Sequence, residues 1–557
     1  MFFHVFRSLL GLFLSIAVLE AAQIPFVAPS TSAGAFVNES DSWDIKVPLN
    51  ENATGHLVFE TVNSFMQHWP NTRYRNGHNV VPGIVPPGTV LYHGRGDSNT
   101  PTEHSYLFCR GQTCWQLIVT TTRPLSVLYF DGSSAAKMPN GTMDSQDALA
   151  YGEIIPENQG RERARIVTLC EWAKGFNVDG FVSEIMLCDF TEGVQVEAFD
   201  VRARGNPHPG DPGRKRPEGG PGEPGRHLEE EEESYPPEIH AYASYAPQLD
   251  INSSALPNSG FEVVHSGSWH RFYPGETRIQ LDLTRLVSFY DTELVPSLVP
   301  ERFGKDRLKH RVLGISQEDI QSVVRRIEAA TKASEPGSGI DWQTLIRLVV
   351  KRFDNRLEMV QYILNSTSPG NSALENEELA KDVQIQLVAM LRPYMLSSIK
   401  PSQDLASTEW VSPMYKLCST TYTKYITTTP SLLSRLTASE HLILGGVSET
   451  TREICRVVTG MWVDGVMAGL DPDLYKPSSA EMEIESLLRS WKERISDLMK
   501  WLDWSVWLKC RPACGFEEIC ELPMWPFRGL GRPDDYDESE DPQPKCIRRM
   551  APFESGT

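Results

Sequence analysis

Two side chains far apart in the chain have the types and settings of a ligand site. The run from Gly88 to Lys137 is rich in β-forming residues and sets His93 and Gly94 between apolar strand residues. Downstream, the stretch GFNVDGFVSE, Gly175 to Glu184, brings a carboxylate to the entry of another apolar strand, Ile185 to Leu187. An imidazole both donates and accepts hydrogen bonds, and a carboxylate stabilises positive charge. On separate strands of one small sheet, His93 and Glu184 could hold one ligand between them. Alternatively, His93 is a hydrogen-bonded core histidine and Glu184 a strand-edge carboxylate paired with Arg163 or Arg165.

Other residues with chemical potential have plainer explanations. His265 and His270 flank a Ser-Gly-Ser turn, an arrangement too common to define a metal site, and His104 reads as a surface residue. Asp131-Gly-Ser-Ser134 lacks the Gly-x-Ser-x-Gly elbow that exposes a nucleophilic serine. Asp144 and Asp147 fit a helix start, with Asp144 or Ser145 as its cap, better than an acid pair. The row Trp491, Trp501, Trp504 and Trp507 at helical spacing is expected in a core.

The elements that must position these residues divide the chain. Arg7, the apolar stretch Leu9 to Leu19 and the small pair Ala21 and Ala22 have the order of a secretory signal peptide, expected over residues 1–22. That stretch is short of the ~20 apolar residues needed to span a bilayer. An α+β domain is expected over 23–200, with a short helix at Glu60 to Met66, strands at Val90 to Tyr92, Gln116 to Thr120 and Leu125 to Phe130, and a helix at Glu162 to Ala173. A Pro/Gly/Glu-rich linker over 201–238 contains too little apolar surface to order itself. A mainly helical domain follows over 239–509, opening on one more strand at Arg278 to Leu283 that belongs either to the first sheet or to the second domain. Ser316 with Asp319 and then Asp341 cap two amphipathic helices, and further helices are expected at Glu377 to Leu391, Glu440 to Leu470 and Glu481 to Leu508. A Cys-rich tail occupies 510–557.

A secretory leader makes disulfides the expected state of the ten cysteines. Cys109 with Cys114 and Cys170 with Cys188 are plausible local pairs, Cys418 and Cys455 flank one helical region, and Cys510, Cys514, Cys520 and Cys546 cluster. Zinc at that last cluster is the lesser alternative, because C-x3-C-x5-C is not a standard zinc spacing. Sequons at Asn38, Asn52, Asn140, Asn252 and Asn365 fit a glycosylated product of the same pathway. A net charge of −20, from 53 basic and 73 acidic residues, argues against nucleic acid as the main partner. No later stretch is long and apolar enough to cross a membrane.

The order GTVLYHGR, TEHSYLF, a strand, TRPLSVLYFD, a helix and VDGFVSEIMLCDF resembles the ADP-ribosyltransferase superfamily in its His-Tyr-Glu form, over Pro87 to Asp200. The resemblance implies NAD as the substrate. It would make His93 the residue that binds the adenosine ribose, Gly94 the backbone that grips the nicotinamide amide, and Glu184 the catalytic carboxylate. Tyr106 stands for the middle tyrosine, closer to the histidine than the family pattern has it, whereas a structural role is simpler for Tyr129 in its apolar strand. Cleaving the nicotinamide bond makes an oxocarbenium ion, which a carboxylate beside the ribose stabilises. More of the chain, through LYFDGSSAAKM, GTMDSQD, DGFVSEIMLCDF, RLVSFYD and TTREICRVVTGMW, is similar to a family of uncharacterised secretory-pathway proteins of fungi. That similarity implies no activity.

The expectation is therefore an α+β glycoprotein, secreted or resident in the endomembrane lumen. It is either an NAD-binding transferase-like unit or a non-enzymatic secreted or cell-wall-associated interaction protein with a protein or small-molecule partner.

Overall fold

In the computed structural model, residues 43–50, 52–67, 69, 77–95, 114–131, 143–156, 162–182, 185–201, 278–334, 336–368, 370–401, 407–474, 483–522 and 543–548 are described. The expected leader, the expected linker from 202 onward, the sequons at Asn38, Asn140 and Asn252, and His104, Tyr106, Cys109, Ser134, Glu184, His265 and His270 lie outside them.

The fold is mixed α+β, with sheet in the N-terminal part and helices toward the C-terminus, as the sequence patterning implies. Helix α1, Gly55–Ser64, precedes strands β1, Asn79–Val85, β2, Val90–Arg95, β3, Cys114–Thr121, and β4, Leu125–Phe130. Helices α2, Asp144–Tyr151, and α3, Glu162–Lys174, lead to β5, Gly180–Val182, β6, Ile185–Leu187, and β7, Val194–Val201. Two short strands follow, β8, Gln280–Leu281, and β9, Val287–Ser288.

The larger sheet has the order β6-β5-β4-β1-β8, with β9 also paired to β1. Strands β4 and β5 are parallel, so the chain between them must cross over, and α2 and α3 supply that crossover. The strand expected at Arg278 to Leu283 shrinks to β8, because Asp282 turns the chain by accepting from the Thr284 N–H and side chain. It belongs to this sheet, opposite Gly83 and Ile84 of β1.

The second sheet, β2-β3-β7, is antiparallel throughout. The chain leaves the first sheet at Pro86 and Pro87, which have no N–H to continue a ladder. Gly88 then takes φ +80° and donates its N–H to the Thr121 carbonyl at 2.7 Å.

The helical part comprises α4, Gln317–Lys332, α5, Trp342–Asn365, α6, Ala373–Leu391, α7, Ser412–Thr420, α8, Ala438–Met467, and α9, Ile484–Leu502. The caps legible in sequence are formed: Ser316 accepts from the Asp319 N–H and Asp341 from the Thr344 N–H. Full capping boxes start α6 at Ser372 and Glu375, and α8 at Thr437 and Glu440. One hydrophobic core runs from Val80, Leu128 and Phe181 of the sheet to Phe353, Leu387, Val458 and Trp491 of the helices. Each such side chain contributes roughly 1.5–3 kcal/mol by leaving water. Helix α1 lies so close to α8 that a Cβ at Gly446 would meet the Gly55 carbonyl at 2.9 Å.

Four disulfides form among the described residues. Cys170–Cys188 is the local pair expected, and Cys418–Cys455 joins α7 to α8. Cys510–Cys520 and Cys514–Cys546 take up the C-terminal cluster, so its sulfurs are committed to each other rather than to zinc. They brace a two-stranded ribbon of β10, Glu518–Glu521, and β11, Lys545–Arg548.

Asp144 does not cap α2, whose cap position is Met143. It pairs instead with Arg311 at 3.0 Å, while Asp147 and Arg165 make an ion pair of 2.5 Å at 3% and 1% exposure. Removing one partner strands a charge in a low dielectric. Asp147→Ala should lower unfolding free energy by about 3–5 kcal/mol, and the apolar pair Asp147→Leu with Arg165→Met should restore most of it. Urea unfolding measures both, and equal stability of wild type and Asp147→Ala would refute the assignment.

Candidate functional site

His93 and Gly94 sit on β2 opposite Leu117 and Gln116 of β3. The strands flanking Glu184, β5 and β6, belong to the other sheet, so the expected sharing of one small sheet by His93 and Glu184 is corrected by the turn at Pro86 to Gly88. Glu184 and Tyr106 themselves lie outside the described residues. Tyr129 has the structural role anticipated: it is buried in β4, its hydroxyl accepts the Met66 N–H at 3.2 Å, and its ring meets Phe65 edge-on at 5.4 Å. Asp131 is likewise structural. Its carboxylate accepts the His78 and Asn79 N–H groups at 2.7 and 2.9 Å and the Asn79 side chain at 2.5 Å, fixing the start of β1. Burial raises its pKa against those hydrogen bonds.

A buried group of titratable side chains was not anticipated from sequence. His78 stacks on Tyr290 at 4.3 Å, and the Tyr290 hydroxyl lies 3.1 Å from His310 Nδ1. His310 Nε2 lies 3.1 Å from the Lys305 carbonyl. A carbonyl only accepts, so Nε2 carries the proton and Nδ1 accepts from tyrosine. Burial, and then Arg307 and Arg302, lower His310 to about 4. Burial raises Tyr290, against the opposing pull of Arg307. At the His310 end the hydrogen bonds run onto backbone.

Across α1 the same group continues. Glu60, with 0% exposure, accepts from the Ser505 N–H at 2.8 Å and from the Asn63 amide at 3.0 Å, and burial raises it to about 7. His56 keeps a partly exposed edge, stacks on Trp501 at 4.2 Å and is lowered to about 3 by burial and by Arg307 and Arg302. Arg302 donates to the Asn52 carbonyl, and Arg307 to Thr61 Oγ1 at 3.1 Å. Glu449 of α8 accepts the Gly55 N–H at 2.9 Å. Only RLVSFYD, which contains Tyr290, stood out in the sequence.

An open cleft of about 350 Å³ lies elsewhere, on the edge where β1, β4 and the segment before β5 meet. Arg123 grips Asp179 with both terminal nitrogens, at 2.9 and 2.7 Å, and Asp179 also accepts the Ser126 N–H at 2.7 Å. Across the opening Arg285 pairs with Asp282 at 3.0 Å. Gly193, at φ +79°, leaves room for Arg123, whose Nε would lie 2.8 Å from a Cβ there. Pro82, Ile84, Leu125 and Val127 supply apolar walls. Two arginines and two aspartates balance in charge, and among the described residues no histidine, cysteine or tyrosine lines the cleft.

Residues 108–324 match the family model described as the YPL277C N-terminal domain. The chain is 22% identical over 553 residues to Uncharacterized protein YOR389W of Saccharomyces cerevisiae, covering 85% of this chain and 82% of the relative. It is 24% identical over 400 residues to Uncharacterized protein YPL277C of the same yeast, covering 58% of this chain and 78% of the relative. The chain is homologous to these yeast proteins, in keeping with the fungal resemblance of its segments. None of these similarities is to an ADP-ribosyltransferase. No solved structure matches.

The buried group dictates opposite pH dependences. Glu60 is raised from 4.5 to about 7, so its contribution to stability is full below 4.5 and is lost as pH rises through about 7. His310 is lowered from 6.5 to about 4, so its contribution is full above 6.5 and is lost as pH falls toward about 4. The unfolding free energy of wild type minus that of Glu60→Gln should fall between those limits as pH rises, and wild type minus His310→Gln should rise. Each slope has a ceiling of about 1.4 kcal/mol per pH unit. Flat difference curves from urea titrations would show that neither group titrates as its burial requires.

Proposed function

We propose that this chain is a disulfide-braced glycoprotein of the secretory lumen or cell exterior that works by binding rather than by turnover. One observation carries this. Glu60 and His310, whose acidities burial strongly shifts, are enclosed and hydrogen-bonded to backbone, whereas the open cleft presents charges already committed in pairs. Catalysis needs an acid, base or nucleophile that reaches substrate, with its acidity tuned to the task. Among the described residues, Ser126 and Thr331 are the hydroxyl side chains of the cleft lining, and no histidine stands there to activate either. A concave, partly apolar cleft with a few fixed polar groups is instead the form of a small-ligand or side-chain recognition site.

The disulfides support the compartment, since such bonds persist where the surroundings are oxidising. No helix among the described residues is long and apolar enough to cross a membrane. The homologous yeast proteins carry names that state no activity.

Incubating the purified full chain with NAD tests the choice against the transferase alternative built on His93, Gly94, Tyr106 and Glu184. Wild type and Glu184→Gln should release nicotinamide at the same background rate. Release by wild type that Glu184→Gln abolishes would overturn the binding assignment and install NAD as substrate. Translation with microsomes tests the compartment: the chain should become protease-protected, and full digestion would refute a lumenal destination.

A further inference from the structure

Helices α5 and α6 form an antiparallel hairpin held by Arg352, which donates to the Ala389 and Met390 carbonyls at 3.0 and 2.7 Å, and by Arg356, which donates to Gln386 at 2.7 Å. Their core faces are apolar, as amphipathic helices require. Their outer faces carry large apolar side chains as well. Tyr362 is 68% exposed and Met359 45% on α5, and Leu374 is 65% exposed at the start of α6. Met359 and Tyr362 are three apart on the helix and therefore neighbours on its surface. Leu374 begins α6 just beyond the connection that follows Tyr362 and Asn365, at the same end of the hairpin. Isolated exposed apolar residues are ordinary, but an adjacent pair on one helix, with a third at the same end of the hairpin, calls for a cover.

The last residue of α5 is Asn365, and Asn365-Ser366-Thr367 is a sequon. Asn365 is exposed, and its carboxamide makes no hydrogen bond among the described residues. Asn365 is three residues beyond Tyr362, one turn along the same surface, and Met359 lies about 9 Å back along the axis at 1.5 Å per residue. Thr367 closes the helix end by donating its hydroxyl to the Leu364 carbonyl at 2.7 Å.

We infer that Asn365 carries an N-linked glycan whose first sugars lie over Tyr362, Met359 and Leu374. A pyranose ring has an apolar C–H face that packs on a phenol ring or an aliphatic side chain, while its hydroxyls stay in water. The glycan is thus the cover this face lacks, supplied by the chain's own passage through the secretory lumen. The assignment rests on the lumenal destination proposed above, because the transfer of the glycan occurs there. Asn52, the other sequon among the described residues, supplies the internal control.

The experiment expresses the full chain in a eukaryotic secretory host and compares wild type with Asn365→Gln, Thr367→Ala, Thr367→Ser and Asn52→Gln. Mass before and after endoglycosidase, binding of a hydrophobic dye and sedimentation are measured. Asn365→Gln and Thr367→Ala should each lose one glycan, bind more dye and self-associate, whereas Thr367→Ser keeps the sequon and should match wild type. Adding Tyr362→Ser and Leu374→Ser to Asn365→Gln should return dye binding to the wild-type level. Asn52→Gln should leave dye binding unchanged. Glycans on other sequons with no mass change in Asn365→Gln would overturn the site, and loss of the Asn365 glycan with no change in dye binding or sedimentation would overturn its role. Absence of glycan from every sequon would instead defeat the lumenal destination, together with this inference.

Discussion

A carboxyl group with no exposure must have both oxygens satisfied within the protein, and Glu60 meets that demand with the Asn63 amide and with Ser505, 445 residues away along the chain. Leaving a buried acceptor without donors costs more than the bond itself contributes, so the contact restricts where α1 and the end of α9 can lie. Helix α1 is then enclosed from a second side. Gly446 of α8 permits backbone contact with Gly55, and Glu449 of α8 takes the Gly55 N–H. Phe59 stacks on Trp504 at 5.9 Å within the same packing. The earliest helix of the described chain is thus a wedge between the sheet and the last helix, and the histidines and arginines around it serve that position.

Enclosure of the polar group and openness of the charged cleft follow from one topological fact. The chain leaves the larger sheet after β1 to make β2 and β3, then returns as β4 beside β1. That return places Arg123 at the entry of β4, where the parallel neighbour β5 begins, and Asp179 immediately before β5 closes the gap. Charges at a strand end remain wet, whereas those beneath α1 are covered by helix. Burial therefore strongly shifts the acidities of Glu60 and His310 in the second group.

The sequence exposed elements with strong periodicity and concealed those whose residues contradict their setting. Helices α4 and α5 were legible because Ser316 and Asp341 cap stripes such as Leu345, Val349, Phe353, Leu357 and Val360, all of which are buried. Strand β4 was legible as LSVLYF. Strand β1 was not, because Pro82 and Gly83 interrupt NVVPGIV in a central position where a strand pattern excludes them. The Pro82 carbonyl still bonds the Asp282 N–H, so the strand survives on its remaining groups. The buried polar group was invisible for a different reason. His56, Glu60, His78, Tyr290, Arg307 and His310 come from separate segments with no shared motif, and only folding assembles them.

Covalent braces stand where hydrophobic area is scarce. The ribbon of β10 and β11 has two strands, and such a pair is marginal alone in water. Its core contribution is confined to a small cluster of Trp69, Leu508 and Leu522. Cys510–Cys520 and Cys514–Cys546 close loops of 10 and 32 residues there, each restricting the unfolded chain by an amount on the order of 3 kcal/mol. Cys170–Cys188 does the same beside the cleft, binding α3 to the segment after β6 where each of β5 and β6 offers three residues of pairing. The Cys418–Cys455 bond differs, because both sulfurs lie at 0% exposure among packed helices that already bury a continuous core. Reduction would therefore act unevenly, releasing the ribbon and the cleft margin before the helical body.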